Sequence, residues 1–192
     1  QLYHQNIYQA SRRSRLIEAG ASDAFGPVST TFLYQRNETF NEGNSSVLYG
    51  AAPRASAILA PQQLLGAPIY ASMNAEYAFL PYRYLTNGVI TRDNSLSRVD
   101  VAPSMRVPLS RLTFLSINSS VAHRTTYYSN RSVNGVREDQ ALVRDYTQLR
   151  TEIVGPVFTK IWDTPTSGYS ERKKHVIEPA ATVDYTTPIR NY

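Results

Sequence analysis

The chain of 192 residues has no cysteine, which excludes disulfides, iron–sulfur clusters and cysteine-based zinc sites. It has no long hydrophobic run. The longest apolar stretches, such as Tyr77–Leu80, span four or five residues, far short of the 18 or more of a transmembrane helix. Mean hydropathy is −0.36. This excludes a helical membrane protein but not a membrane barrel, whose strands alternate and average to low hydropathy. Charge is also scarce: 18% of residues are charged, against about 25% in an ordinary soluble domain. There is one tryptophan and there are two methionines, but 14 tyrosines. A chain poor in charge and rich in Tyr, Ser and Thr suits strands better than helices.

The net charge of +5 comes mostly from arginine. The densest clusters are Arg12-Arg13-Ser14-Arg15 and Arg172-Lys173-Lys174. No nucleic-acid motif accompanies them, so no nucleic-acid partner is expected. The chain begins at Gln1 without a signal peptide, Gln1–Gln9 reads as the middle of an element, and the expectation is a segment of a longer protein.

The dominant signal is period-2 alternation. Over 68–81, Ile69, Ala71, Met73, Ala75, Tyr77 and Phe79 fall on one face and Ser72, Asn74 and Glu76 on the other. Over 97–108, Val99, Val101, Met105 and Val107 oppose Arg98, Asp100, Ser104 and Arg106. The pattern recurs over 112–128, 142–158 and 175–187, and more weakly over 12–21, 28–38 and 52–60. That predicts about eight strands in one segment, residues 1–192. The stretch before Arg12 fits strand or helix. Connections at 22–27, 61–67 and 109–111 read as short, and those at 39–51, 82–96 and 129–141 as longer and polar. The connection at 159–174 breaks this alternation, being long where a short one is due.

Alternation by itself fits a soluble β-sandwich as well as a barrel. Strands of a dozen residues and alternating connection lengths favour an antiparallel outer-membrane barrel. Pro103, Pro156 and Pro179 fall inside strand-like stretches, where proline marks an edge or a bulge. Tyr82 and Tyr84, and Tyr127 and Tyr128, gather at the long-loop end, as an aromatic girdle would.

No constellation for catalysis stands out. There is no GxSxG, Walker loop, GxGxxG or HExxH, so no catalytic, cofactor-binding or metal residue is assigned. His4, His123 and His175 are far apart in sequence. Four Asn-x-Ser/Thr triplets, the first at Asn37, read as chance in an Asn- and Ser-rich chain.

Arg98-Val-Asp100-Val-Ala-Pro103 followed by Pro108-Leu109, and Gly155-Pro156 followed by His175-Val-Ile-Glu178-Pro179, resemble the C-terminal barrel region of the lipopolysaccharide-assembly family LptD. The likeness runs in order over about residues 28–185. It implies part of a large transmembrane outer-membrane barrel and no catalysis. That family inserts lipopolysaccharide into the outer leaflet, with a lipoprotein plug of the LptE type and a periplasmic bridge protein reached through an N-terminal domain. Outer-membrane lipid and lipopolysaccharide would be the partners, and the outer membrane the location. On that reading Arg83, Arg92, Arg131 and Arg137, in or near the long loops, are candidates for contacting lipopolysaccharide phosphates. The competing readings are another outer-membrane barrel, such as a porin or uptake channel, and a soluble sugar-binding β-sandwich.

Overall fold

A computed structural model describes residues 13–109, 113–133, 136–163, 168 and 172–191. His4 and the stretch before Arg12 lie outside the described residues, as does part of the turn after Leu109.

The strands are β1 (Ser14–Phe25), β2 (Val28–Asn41), β3 (Ser45–Gln63), β4 (Tyr70–Leu80), β5 (Tyr82–Thr86), β6 (Val89–Asp93), β7 (Leu96–Pro108) and β8 (Ser116–Tyr128). They continue with β9 (Arg131–Val133), β10 (Val136–Glu138), β11 (Leu142–Val154), β12 (Phe158–Asp163), β13 (Arg172–Ile177), β14 (Ala180–Thr186) and β15 (Arg190–Asn191). The described chain is all-β and antiparallel. Eight of these strands form one meander in the order β1-β2-β3-β4-β7-β8-β11-β14. Its neighbours are consecutive in sequence once the small hairpins β5/β6, β9/β10 and β12/β13 are set aside. β1 and β14 do not pair with each other, so the sheet is open, with two free edges. The described residues thus form an antiparallel sheet and no closed barrel; the expectation from the sequence is one part of a larger barrel.

The faces follow the alternation. Register across β4, β7, β8 and β11 aligns Glu76 with Asp100 and Thr126, and Thr126 with Arg144. One step away, Tyr77, Val99, Tyr127 and Val143 align on the opposite face. On β7 the polar residues Arg98, Asp100 and Ser104 are half-buried, while Val99, Pro103 and Met105 are exposed.

Among the described residues there is no core of the soluble kind. The buried hydrophobic residues among those described are Leu48, Ala51 and Ala78, whereas 33 large apolar or aromatic side chains are exposed. The accessible surface is 14308 Å². A compact soluble monomer of 21.6 kDa would expose about 9,200 Å². Among the described residues nothing packs on the apolar face of the sheet.

Several expected boundaries shift. The polar connection foreseen at 39–51 shrinks to residues 42–44, because β2 and β3 both run on through the rest. β3 carries one extra residue between Ala51 and Arg54, opposite Leu33–Gln35, and this bulge slips the phase of the alternation. The connections at 82–96 and 129–141 contain hairpins. In the first, Asn87 and Gly88 carry φ of 52° and 77°, the two positive values of a type I′ turn, a conformation glycine adopts without strain. The single strand expected over 175–187 is two. β13 ends at Ile177, and β14 starts past Pro179. The connection at 159–174 holds the outer hairpin β12/β13. Pro103 stays within β7, but the β7–β8 ladder skips Ala102 and Pro103, as a missing donor requires.

Candidate functional site

The polar face carries a ladder of ion pairs from strand to strand. Glu76 on β4 accepts from Arg54 Nε on β3 at 2.8 Å and from Arg98 on β7. Asp100 on β7 accepts from Arg124 Nε on β8 at 3.0 and 3.1 Å and from the Thr126 hydroxyl at 2.7 Å. Arg144 on β11 donates to Asn191 on β15 at 3.0 Å, and Arg150 lies 3.7 Å from Asp184 on β14. Cross-strand neighbours on one face stand close enough for such pairs. Arg98, Asp100, Arg124, Thr126, Arg144 and Tyr146 surround a cavity of about 270 Å³. Its lining holds three guanidiniums and one carboxylate, so this stretch of the face favours anions.

The second charged region is the long-connection end, where β5/β6 and β9/β10 stand. Arg83 Nε pairs with Asp93 Oδ2 at 2.9 Å across β5/β6. Asp93 also receives the Ser95 backbone N–H at 2.9 Å and the Ser95 hydroxyl. Partial burial works to raise the Asp93 carboxyl. Hydrogen bonds from Ser95 and the Arg83 charge outweigh it and hold the group below the usual carboxylate range. Arg137 donates to the Asp93 carbonyl at 3.3 Å and so ties the two hairpins together. Asn130, buried, donates to the Ser95 carbonyl at 2.9 Å and fixes the same corner.

Of the four candidate phosphate-contacting arginines, the structure gathers Arg83, Arg92 and Arg137 near Asp93, while Arg131 spans β9/β10. Three of them already face carboxylates: Arg83 with Asp93, Arg131 with Glu138 at 2.8 Å, and Arg137 with Asp139 at 2.9 Å. Arg92 sits 6.0 Å from the centre of the Tyr84 ring. The Tyr82 and Tyr84 rings meet edge to face at 5.5 Å, at this same end.

The motif residues divide by place. Arg98 and Asp100 serve the polar ladder, and Pro103 lies on the apolar face opposite Met73. Gly155, Pro156, Glu178 and Pro179 form the break between the sheet and β12/β13, and the Gly155 N–H donates to the Pro179 carbonyl at 2.7 Å. His175 stacks on Trp162 with ring centres 5.9 Å apart and planes at 29°. His175 lies in β13 and Glu178 beyond its end, so they share no strand face.

Two features escaped sequence reasoning. Glu38, 7% exposed, binds Arg15 at 2.7 Å and Ser46 at 3.0 Å. His123 is held between Thr147 and Thr125 at 2.9 and 3.1 Å on the face that carries Val121, Tyr127 and Leu149. The departures of Thr125, Asp145 and Thr147 from apolar alternation were the available signal for the second. Among the described residues no three acidic or histidine side chains gather as a metal-ligand set.

The chain matches no model of a known protein family and no curated protein sequence.

Proposed function

We propose that this sheet is part of the wall of a transmembrane outer-membrane β-barrel, and that the barrel belongs to the translocon that inserts lipopolysaccharide into the outer leaflet. The observation that carries the membrane reading is the inverted solvation of the sheet. Its apolar face is open with nothing packed on it, and its other face carries cross-strand ion pairs whose carboxylates Glu76 and Asp100 are largely covered. Water penalises that arrangement, and a bilayer outside a wet lumen rewards it. Strands of 11 to 19 residues in the first four members of the meander are long enough to cross. The free edges of β1 and β14 must then be paired by further strands, because unpaired backbone groups in hydrocarbon cost several kcal/mol each.

The lipopolysaccharide assignment rests on the ordered motifs around Arg98–Pro103 and Gly155–Pro179. In this reading the end bearing β5/β6 and β9/β10 faces outward, level with the phosphates of the outer leaflet. The charged face looks into a lumen that an LptE-type lipoprotein plugs. A periplasmic bridge delivers the lipid from the opposite side.

The test is purification of the full-length protein in detergent. Heat-modifiable migration, β-rich circular dichroism and a co-purifying lipoprotein are expected. A barrel without the lipoprotein returns the assignment to a porin or uptake channel. A soluble, cooperatively folded monomer of residues 1–192 without detergent overturns the membrane reading.

A further inference from the structure

We infer that the hairpin β12/β13 is a membrane-surface anchor that lies on the bilayer at the short-connection end of the sheet and binds anionic phospholipid headgroups. The inference rests on the membrane reading above and goes beyond it.

The β11–β14 pair does not stop where the sheet does. After Val154↔Ala180 the ladder breaks at Gly155-Pro156 on one side and Glu178-Pro179 on the other, then resumes as six pairs from Phe158↔Ile177 to Asp163↔Arg172. At about 3.4 Å per residue, the hairpin reaches roughly 20 Å past the break. All twelve of its residues are exposed, on both faces. A lone two-stranded hairpin is marginal in water, so this one needs a surface to lie on.

Its composition names that surface. The two strands carry four cations, Lys160, Arg172, Lys173 and Lys174, and one carboxylate, Asp163, which Arg172 holds at 2.9 Å. Interleaved with them are exposed Phe158, Ile161, Trp162, Val176 and Ile177. Register sets Ile161 beside Lys174 and Trp162 beside Lys173, and the Lys160 ammonium stands 5.2 Å from the Trp162 ring. Basic and apolar groups are mixed along the whole hairpin rather than sorted into one patch against one rigid partner. Lysine stems that lie on apolar surface while their ammonium groups reach phosphates, with an aromatic ring at headgroup depth, are what an anionic bilayer interface selects. Two prolines at the break remove ladder donors there and free the hairpin to set its own angle to the wall.

Trp162 is the sole tryptophan of the chain, so its emission reports this hairpin. The experiment places the full-length protein, with any tryptophan outside residues 1–192 changed to Phe, in phosphatidylcholine vesicles with or without phosphatidylglycerol. With phosphatidylglycerol, Trp162 emission is expected to shift to the blue and to be quenched by a headgroup-level nitroxide lipid more than by a deep one. Changing Lys160, Lys173 and Lys174 to Gln is expected to abolish the phosphatidylglycerol dependence. A fluorophore at Leu149→Cys, on the apolar face, serves as control and is expected to be quenched by the deep nitroxide. If Leu149→Cys is deep but Trp162 stays in water, or responds only to an added acidic protein, or shifts equally in the triple variant, the anchor is refuted and the barrel stands. If the Leu149→Cys label is not quenched, the barrel reading falls and the anchor with it.

Discussion

Gly155 and Pro179 touch across the root of the outer hairpin. The Gly155 N–H donates to the Pro179 carbonyl at 2.7 Å, and a Cβ on Gly155 would stand 2.9 Å from Pro179 Cγ and 3.3 Å from its carbonyl oxygen. Twenty-four positions apart in sequence, they form one joint. Gly155→Ala is expected to force the joint open and destabilise the protein by about 1–3 kcal/mol. A lowered urea midpoint in vesicles, with faster protease cleavage near Val157, is the readout. An unchanged midpoint would show that Pro179 gives way at no cost.

Gly50 is held more tightly. Beside the β3 bulge, a Cβ there would lie 2.1 Å from the Gln35 carbonyl oxygen and 3.2 Å from Arg36 Cα, both backbone. No side chain can rotate to relieve this, so β2 and β3 must separate. Gly50→Ala is expected to cost about 3 kcal/mol, at the upper end for overpacking. It should reduce the folded fraction seen as the heat-modifiable band. Gly43→Ala, where a Cβ would meet nothing within 4 Å, is the comparison at a turn, with only the strain of its positive φ.

Glu76 clamps β3 to β7 through Arg54 and Arg98. The arginine side chains remain 46% and 33% exposed, so the pairs are discounted for solvent. Glu76→Gln is expected to cost about 1 kcal/mol. A double-mutant cycle with Arg98→Gln should give a coupling of similar size. A coupling below about 0.3 kcal/mol would mean the two act independently.

Asp93 makes the outer corner sensitive to acid. Its carboxyl is depressed in the folded protein, so its contribution is complete above the ordinary carboxylate value near 4 and is lost as the pH falls through the lower folded value. Protection of residues 82–95 against hydrogen exchange, taken relative to the intrinsic rate at each pH, is expected to be flat from pH 8 to 5 and to fall below about 4. Asp93→Asn should remove the acid step while raising exchange throughout. A step centred above pH 5 would point to a different group.

Replacing Arg83, Arg92, Arg131 and Arg137 together with Gln is expected to impair lipopolysaccharide binding and delivery by the full-length protein. Three of the four face carboxylates, so single changes should each do less than an equal share. If binding and delivery are unchanged in the fourfold variant, these arginines do not contact phosphate.

Strand identity was legible wherever alternation kept its phase. Val99 against Arg98, and Leu149 against Gln148, predict their faces correctly because a strand leaves a side chain only two directions. β3 was legible only over 52–60. The bulge between Ala51 and Arg54 slips the period by one, so Ser45–Gly50 reads as loop when it is strand. Within the hairpin β12/β13, residues 159–174 read as an anomalously long connection and 175–177 as the start of a strand running on through Pro179, because the alternation by itself does not show that the ladder breaks at Pro156 and Pro179.

The sequence by itself determined an all-β chain, the place of most of its long strands and the polar face of β4, β7, β8 and β11, because these depend on period and on turn residues that act locally. Tertiary structure alone decided the rest. That Glu76 serves both Arg54 and Arg98, that Arg137 joins the corner of Asp93, and that Gly155 meets Pro179 all follow from register between strands. Register is fixed by bulges and by the summed fit of whole faces, which no short window of sequence contains.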